Sequence, residues 1–524
     1  MPDLTKKQTF AFLLLILILG AALRLYPAVM VWHNLFSEPD VYIYYSVASQ
    51  TLANHLIITS IFSGVPPRPY TEYPGLVLFP AIISYLTGIS VYSIIEFSPV
   101  LMGLLGIIAV YLLAYEFMKK RWIALFAAFL YSMLPATLYR SIAGEYRGEV
   151  FVPVFLAFAM LLLIKMNRKN MIWEVPSFIG LTALSIAWWS GGIYAIVAPI
   201  LFFISAAIFT YLPKILPRAA YNPLLRNRIT HMLLIILVAG AYLIAPFISP
   251  FIPYLQKIIG FLQFWPQNQY INELIPTSIA YIFNYYTWVW IAAIMGLGLM
   301  MYYNKKETFY RSQYALFALS LPAIVMGMIA IRWLILFSIP ACIYGAYLIY
   351  ALITIFQIHK QSAAIVIFGL ATIAFVLSIH YIATLQPADF LNQQFISALS
   401  WMKNNTAANA TVLTLWPDGS LVEGVADRES YSDSIMSQFS QYTVGFEKML
   451  YAKAGNYSYI QSIKPRPNYL LVRHVWLKET VGILLQINKP LNTTYNGTNL
   501  QQLVNGTAPF PIVFRNNDSI IYKT

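Results

Sequence analysis

Residues 363–404 read AAIVIFGLATIAFVLSIHYIATLQPADFLNQQFISALSWMKN, and the fold turns on what changes inside them. Residues 363–384 are an apolar run of the length that crosses a bilayer, which takes about 20 residues. Beyond 388 the apolar positions thin to Phe390, Leu391, Phe395, Leu399 and Met402. That is the spacing of a helix with one buried face. A membrane region ends here and a water-exposed domain begins.

Toward the N-terminus, comparable apolar runs occur at about 9–32, 92–118, 122–138, 149–166, 174–190, 191–210, 230–250, 279–303, 312–330 and 333–356. Residues 74–88 are also apolar, but Pro74, Pro80 and Gly88 suit a membrane-edge helix as well as a span. The reading is a polytopic α-helical membrane protein of about 11–13 spans over 1–384, with outer loops at 33–91 and 251–278. Composition agrees. Charged residues are 10% of 524 positions and hydrophobic residues 59%, whereas an ordinary soluble domain is about 25% charged. Lipid must therefore solvate most of the chain. The first run has only Lys6 and Lys7 before it and no small-residue cleavage site, so it reads as a retained span. Cys342 is the only cysteine and lies in an apolar run, which leaves no internal disulfide.

The net charge of +13 is distributed by loop. With a cytoplasmic N-terminus, alternate loops carry Lys6 and Lys7; Lys119, Lys120 and Arg121; Lys165, Arg168 and Lys169; Lys214, Arg218, Arg226 and Arg228; Lys305, Lys306 and Arg311; and Lys360. The opposite side of the membrane region holds only Arg24, Arg68, Arg140, Arg147, Lys257 and Arg332. Basic residues favour the cytoplasmic side, so this pattern is a topology signal and not a nucleic-acid surface. It puts the C-terminal domain outside the cytoplasm. Sequons agree: residues 1–384 have none, while 385–524 carry them at Asn404, Asn409, Asn456, Asn492, Asn496, Asn505 and Asn517. A sequon is an acceptor only on the exported side. Within 385–524, β-rich runs at Thr411–Leu415, Tyr469–Val472, Pro511–Phe514 and Ser519–Tyr522, with a helix near 433–451, give a mixed α/β domain.

Ionisable residues near a membrane are costly and tend to be functional. Asp40 follows the first span in SEPDVYIYYSVASQ; Glu145 and Glu149 lie in LYRSIAGEYRGEVF. Carboxylates from two short outer loops can hold a hard divalent cation, or can be solvated loop charges. Glu145, four residues before Glu149, is expected on the same helical face. Glu273, in NELIPTS, reads as a loop charge or part of a helix cap. Arg332, in AIRWLILFSIP, suits a phosphate through two parallel hydrogen bonds, or snorkels. Trp416-Pro417-Asp418-Gly419 reads first as a turn.

Taken together, these fragments resemble the oligosaccharyltransferase catalytic subunit family. The stretch SWMKNNTAANATVLTLWPDGSLV is similar to the region around its WWDYG signature. EPDVYIYY resembles its first acidic motif, SIAGEYRGEVF its second, WWSGGIY a Trp-Gly-Gly stretch, NELIPTS its outer-loop Glu motif and IRWLILFSIP its late-span Arg motif. RPNYLLVRHVWLKETVGILL is weakly similar to its Asp/Lys helix, with Lys478 the recognisable residue. The matches follow the family's order across nearly the whole chain. The signature departs from the family pattern: Leu415 replaces the first Trp, and Asp418 is displaced by one. Arg147 stands where Asp is usual, and Val475 where the Asp/Lys helix has Asp.

The resemblance implies a GT-C-like fold and transfer of a glycan, with inversion, from a lipid-(pyro)phosphate-linked donor to Asn in N-x-Ser/Thr. It implies Mn²⁺ or Mg²⁺ held by Asp40 and Glu149, with Glu145 supplying the carboxylate missing at Arg147. Glu273 would engage the acceptor carboxamide and Arg332 the donor phosphate. Trp416, Asp418, Gly419 and Lys478 would bind the sequon. The implied partners are the lipid-linked donor, the acceptor polypeptide and the bilayer; nucleic acid is not among them, and the chain would act as a monomer. The rivals are another lipid-phosphate-sugar-dependent glycosyltransferase of the same architecture (a protein O-mannosyltransferase or a lipid- or polymer-glycosylating enzyme), a transporter or flippase, and an inactive relative that only binds.

Overall fold

The computed structural model describes residues 3–30, 36, 38–56, 60–62, 68–69, 73–166, 170–189, 192, 194–215, 279–303, 310–329, 331–385, 392–431, 444–477 and 497–524. They form two compact units. The first comprises Met1–Pro27, Ser98–Ile142 and Tyr146–Leu385; the second Ala28–Phe97, Ala143–Glu145 and Gln386–Thr524.

Six described helices are long and apolar enough to cross a membrane: Lys6–Met30, Val91–Met118, Gly148–Lys165, Met171–Trp188, Arg332–Ile355 and Lys360–Ala383. Shorter apolar helices at Tyr194–Ala206, Val289–Met300 and Ser312–Ile324 fall in three more of the expected runs. The run 230–250 lies outside the described residues. Helices Lys360–Ala383 and Met171–Trp188 keep most of their surface exposed, including Phe368, Ile365 and Trp173. Such faces need an apolar solvent, and the chain is a multi-pass membrane protein.

The run 122–138 is not one straight helix. Arg121–Met133 and Pro135–Ser141 meet at 60°. Leu134 is extended (φ −70°, ψ 123°), as a residue before proline prefers. The break frees backbone carbonyls that lipid cannot satisfy. Arg24, fully buried in the first helix, answers it. Its Nη1 donates to Ser132 O (3.2 Å) and Gly20 O (3.0 Å), and its Nε to Ser141 Oγ (2.7 Å). Thr137 Oγ1 donates to Tyr131 O at 2.6 Å. The guanidinium passes over Gly103, where a Cβ would lie 2.4 Å from Arg24 Nε.

The late run also differs from a plain span. It opens as a 3₁₀ turn at Ile331–Phe337 and becomes α-helical only at Ser338–Ile355. Arg332 therefore sits on the tighter turn.

In the second unit, β1 (Ser60–Phe62) and β2 (Arg68–Pro69) pair antiparallel. The larger sheet has β3 (Thr411–Leu413), β4 (Glu429–Ser430), β5 (Tyr469–Arg473), β6 (Ile512–Arg515) and β7 (Ser519–Lys523) in the order β4-β3-β5-β7-β6. β3 runs parallel to β4 and β5, while β7 runs antiparallel to β5 and β6. The mixed α/β expectation holds, and each β-rich run forms a strand within about two residues of its expected bounds. Leu413, Leu470, Val472, Ile520 and Tyr522 pack with Phe446, Leu450, Ile460 and Leu503 in one core. Helix Gln393–Asn405 begins at the cap Asn392, whose Oδ1 accepts from Phe395 N at 2.8 Å. Its buried residues are Phe395, Ala398, Leu399 and Met402, three of them on the expected stripe. Of the helix expected near 433–451, Val444–Tyr451 is described.

Candidate functional site

In the first unit, two residues singled out from sequence meet. Glu149 lies in the first turn of Gly148–Lys165, where the helix dipole favours a carboxylate. It accepts a hydrogen bond from Arg332 Nη2 and forms an ion pair with it. The carboxylate side chain is 1% exposed and the arginine side chain 21%, so the cation is partly accessible. The guanidinium also lies over the Trp189 ring at 5.5 Å, and Trp189 packs against Trp333 at 4.8 Å. Trp188 packs on Phe151, two residues from Glu149, at 3.9 Å. The WWSGGIY stretch thus supplies the wall behind this pair. Beside it lies a small pocket lined by Tyr139, Arg140, Tyr285, Tyr286 and Arg332. Two guanidiniums at one pocket suit an anion. In the sequence Arg140 reads only as an outer-side charge; its neighbourhood comes from the bend at Pro135.

The second unit holds Asp40, Glu145 and the signature segment. Asp40 is in the first turn of helix Pro39–Ala53, with Pro39 at the helix start. That helix packs on Trp416–Leu421 and on the π-turn Val422–Ala426 that continues it. The contact is close: a Cβ at Gly424 would come within 2.5 Å of Tyr42 Cβ and 2.7 Å of Tyr42 O. Glycine is what lets the two backbones meet, two residues from Asp40. π-turns inside helices are frequent at functional sites.

Glu145 departs from expectation. It is fully buried and precedes the helix that carries Glu149, which begins at Gly148. Gly144 takes φ 87° and Arg147 is extended, so the acids at 145 and 149 do not share a helical face. The i, i+4 argument fails because the helix starts only at Gly148, after an extended Arg147, which leaves Glu145 outside it.

Asp418 turns inward. Its Oδ1 accepts from Arg473 Nη1 at 2.9 Å and its Oδ2 from Trp476 Nε1 at 2.8 Å, and the residue is 2% exposed. Arg473 also donates to Asp518 through Nε (2.9 Å) and Nη2 (3.2 Å) and lies over the Phe395 ring at 3.9 Å. Asp518 further accepts from Ser519 Oγ at 2.6 Å and Asn392 Nδ2 at 2.5 Å. Burial pushes the Asp418 carboxyl up even against its two partners. At Asp518 burial is outweighed by Arg473, Ser519 and Asn392, which hold it below the usual carboxylate range. Burial alone would lower Arg473, but the two carboxylates raise it. Gly419 N donates to Leu415 O at 2.9 Å, an i→i−4 bond of the short helix Trp416–Leu421 that stands where the sequence reads as a turn. Nothing in the sequence points to Arg473, 55 positions from Asp418.

Glu273 and Lys478 lie outside the described residues. Among the described residues no three of His, Cys, Asp and Glu come together to hold a metal ion, and Glu149 is engaged with Arg332. The described residues thus do not by themselves build a divalent-cation site.

No family model matches the chain. Dolichyl-phosphooligosaccharide-protein glycotransferase 2 of Archaeoglobus fulgidus is 26% identical over 203 residues, 36% of this chain and 32% of that protein. Dolichyl-phosphooligosaccharide-protein glycotransferase 1 of Pyrococcus furiosus is 28% identical over 194 residues, 35% of this chain and 20% of that protein. The chain covers no more than about a third of these curated relatives. Among solved structures, the archaeal oligosaccharyltransferase AglB from Archaeoglobus fulgidus, in complex with an inhibitory peptide and a dolichol-phosphate, superposes with a TM-score of 0.71 at 15% identity, covering 95% of this chain and 78% of that one. The Archaeoglobus fulgidus oligosaccharyltransferase in complex with Zn and sulfate gives 0.67 at 16% identity, over 94% and 70%. The fold and site define a polytopic membrane protein of GT-C-like architecture with a C-terminal α/β portion. Over about a third of its length the chain is similar in sequence to the archaeal dolichyl-phosphooligosaccharide-protein glycotransferases named above.

Proposed function

We propose that the chain is a glycosyltransferase that moves a glycan from a lipid-(pyro)phosphate-linked donor to Asn in N-x-Ser/Thr sequons of exported polypeptides. The observation that carries this is Arg332, partly open, paired with Glu149 and facing a pocket it shares with Arg140. Support comes from the named relatives and from the dolichol-phosphate bound to the superposed archaeal oligosaccharyltransferase.

An amide nitrogen is a poor nucleophile because its lone pair is delocalised into its carbonyl. The barrier then falls most where negative charge develops on the departing phosphate. Arg332 supplies two parallel N–H donors there, and its link to Glu149 holds the fork in place before the donor arrives. Attack on the anomeric carbon from the face opposite the phosphate inverts it. Asp40 and Glu273 are assigned to the acceptor carboxamide. Trp416 and Gly419 are assigned to the sequon hydroxyl, with Asp418 bracing their turn from within and Lys478 beside them. Mn²⁺ or Mg²⁺ at Asp40, Glu145 and Glu149 is the expected cofactor, and requires Glu149 to be shared with or released from Arg332. The catalytic region is assigned to 1–384 and acceptor binding to 385–524. The N-terminus is cytoplasmic, the C-terminal domain extracytoplasmic, and the chain works as a monomer in the cell membrane.

The test is glycan transfer to an N-x-Thr peptide by the purified chain, with and without added Mn²⁺. Transfer is expected to vanish with a Gln-x-Thr peptide and in Asp40→Ala and Glu149→Ala. Equal modification of both peptides would move the chain to a transferase of the same architecture with another acceptor. Unchanged transfer in either variant would overturn the site assignment.

A further inference from the structure

The asparagines of the C-terminal portion divide into two groups. Outside sequons, Asn392 donates through Nδ2 to Asp518, Asn405 to Trp401 O, Asn499 to Met449 O and Asn456 O, and Asn516 to Gln394 O and Ser397 Oγ. Asn468 accepts from Thr411. The described sequon asparagines, Asn404, Asn409, Asn456, Asn505 and Asn517, are all exposed, and among the described residues the Nδ2 of none of them donates to the fold. The atom that would bear a sugar is engaged in the fold in Asn392, Asn405, Asn499 and Asn516, and left outward in the sequon group.

We propose that these five asparagines are N-glycosylation sites of the chain itself, so that the protein is also a substrate of the reaction class assigned to it. The inference rests on the extracytoplasmic placement proposed above, and not on this chain being the enzyme that modifies it. In the step, Nδ2 loses one proton and bonds the anomeric carbon. The anomeric C–O bond breaks, and the lipid (pyro)phosphate leaves with its electron pair. A glycan on an outward Nδ2 displaces no internal hydrogen bond.

The hydroxyls two residues on give an order of events. Thr406 Oγ1 donates to Met402 O at 2.7 Å and accepts from Arg428 Nε at 2.8 Å. Thr411 Oγ1, on β3, donates to Asn468 Oδ1 at 3.1 Å, and buried Ser519 Oγ to Asp518 Oδ2 at 2.6 Å. A site that must pair with that hydroxyl cannot read it once it is so engaged. Asn404, Asn409 and Asn517 are therefore modified before the domain folds. Ser458 and Thr507 stay exposed. Ser458 Oγ bonds its own sequon's Asn456 Oδ1 at 2.8 Å, and Thr507 Oγ1 has a long 3.3 Å bond to Gln502 O. Asn456 and Asn505 remain available in the folded chain.

The experiment is peptide mass spectrometry on the full chain from membranes whose other exported proteins carry sequon glycans. An Asn409→Cys variant, probed with an impermeant maleimide on intact cells, reports which side the domain is on. Glycan mass on the five peptides, its absence from Asn405 and Asn516, and loss of one glycan in each Asn→Gln variant support the inference. Five bare peptides with the introduced thiol labelled from outside overturn it while the topology stands; no outside labelling overturns both. In an Asp40→Ala background, loss of the glycans makes this chain their source and retention makes it another transferase, and either supports the sites. Chain made without donor, folded and then supplied with donor and an active transferase should, among these five sites, gain glycans at Asn456 and Asn505 alone. Equal gain at all five overturns the order.

Discussion

Two arginine–carboxylate arrangements, one in each unit, differ in how far the guanidinium is enclosed. In the first unit Arg332 has the Glu149 carboxylate, an indole face and a pocket on its open side. In the second, Arg473 is enclosed by two aspartates and a phenyl face, with 1% of its side chain exposed. A cation with an open edge can take up a further anion; one sealed between two carboxylates must first give up a buried partner, at a large penalty. The first is the geometry of a binding group and the second that of a brace.

The sharpest way to break this contrast is Arg473→Met. It strands Asp418 and Asp518 as buried charges, and losing one partner of such a network costs about 3–5 kcal/mol. A large fall in Tm of the full chain is expected; an unchanged Tm would show that the network does not brace the domain. Arg332→Lys comes next. It keeps the charge but loses the planar fork, so glycan transfer should fall by about 1.5–3 kcal/mol of barrier, roughly 10- to 150-fold, with Tm nearly unchanged. An equal fall in Tm would make Arg332 a brace as well. Gly424→Val forces a side chain into Tyr42 and should cost about 1–3 kcal/mol. The expected readout is a raised KM for the acceptor peptide, with Gly424→Ala intermediate; an unchanged KM in both would detach this contact from acceptor binding.

The smallest effect concerns pH. Asp518 is held below the ordinary carboxylate range, so its contribution is present above its unfolded value and lost as pH falls through the folded one. Asp418 is pushed up, so its protonation on acidification favours the folded form and offsets part of that loss. Stability measured against pH should fall on the acid side in wild type. The fall should flatten in Asp518→Asn and steepen in Asp418→Asn; the reverse pattern would exchange the two roles.

Much of the architecture was legible because its signals are local. A run of about 20 apolar residues needs no partner to be recognised, and the β-rich runs at 411–415, 469–472 and 519–522 identify strands by themselves. What stayed hidden depends on contacts between distant positions or on one backbone angle. The extended Arg147, just before the helix start at Gly148, separates Glu145 from Glu149, and the single residue Leu134 bends the third span. Arg332 and Glu149 each stand out in the sequence, but their pairing across 183 positions does not. Likewise, the WPDG segment reads as a turn but opens the helix Trp416–Leu421, and the inward aim of its aspartate requires Arg473 and Trp476.

Arg24 has a consequence for biogenesis. Entering a bilayer alone, a helix with an arginine inside its apolar stretch carries an insertion penalty of up to about 2.5–3.5 kcal/mol. The acceptors that relieve it, Ser132 O and Ser141 Oγ, are synthesised more than 100 residues later. The first helix must therefore wait at the edge of the translocation machinery, or rest with its guanidinium at the lipid headgroups, until the bent third span arrives. The buried place of Arg24 is completed only when that span arrives.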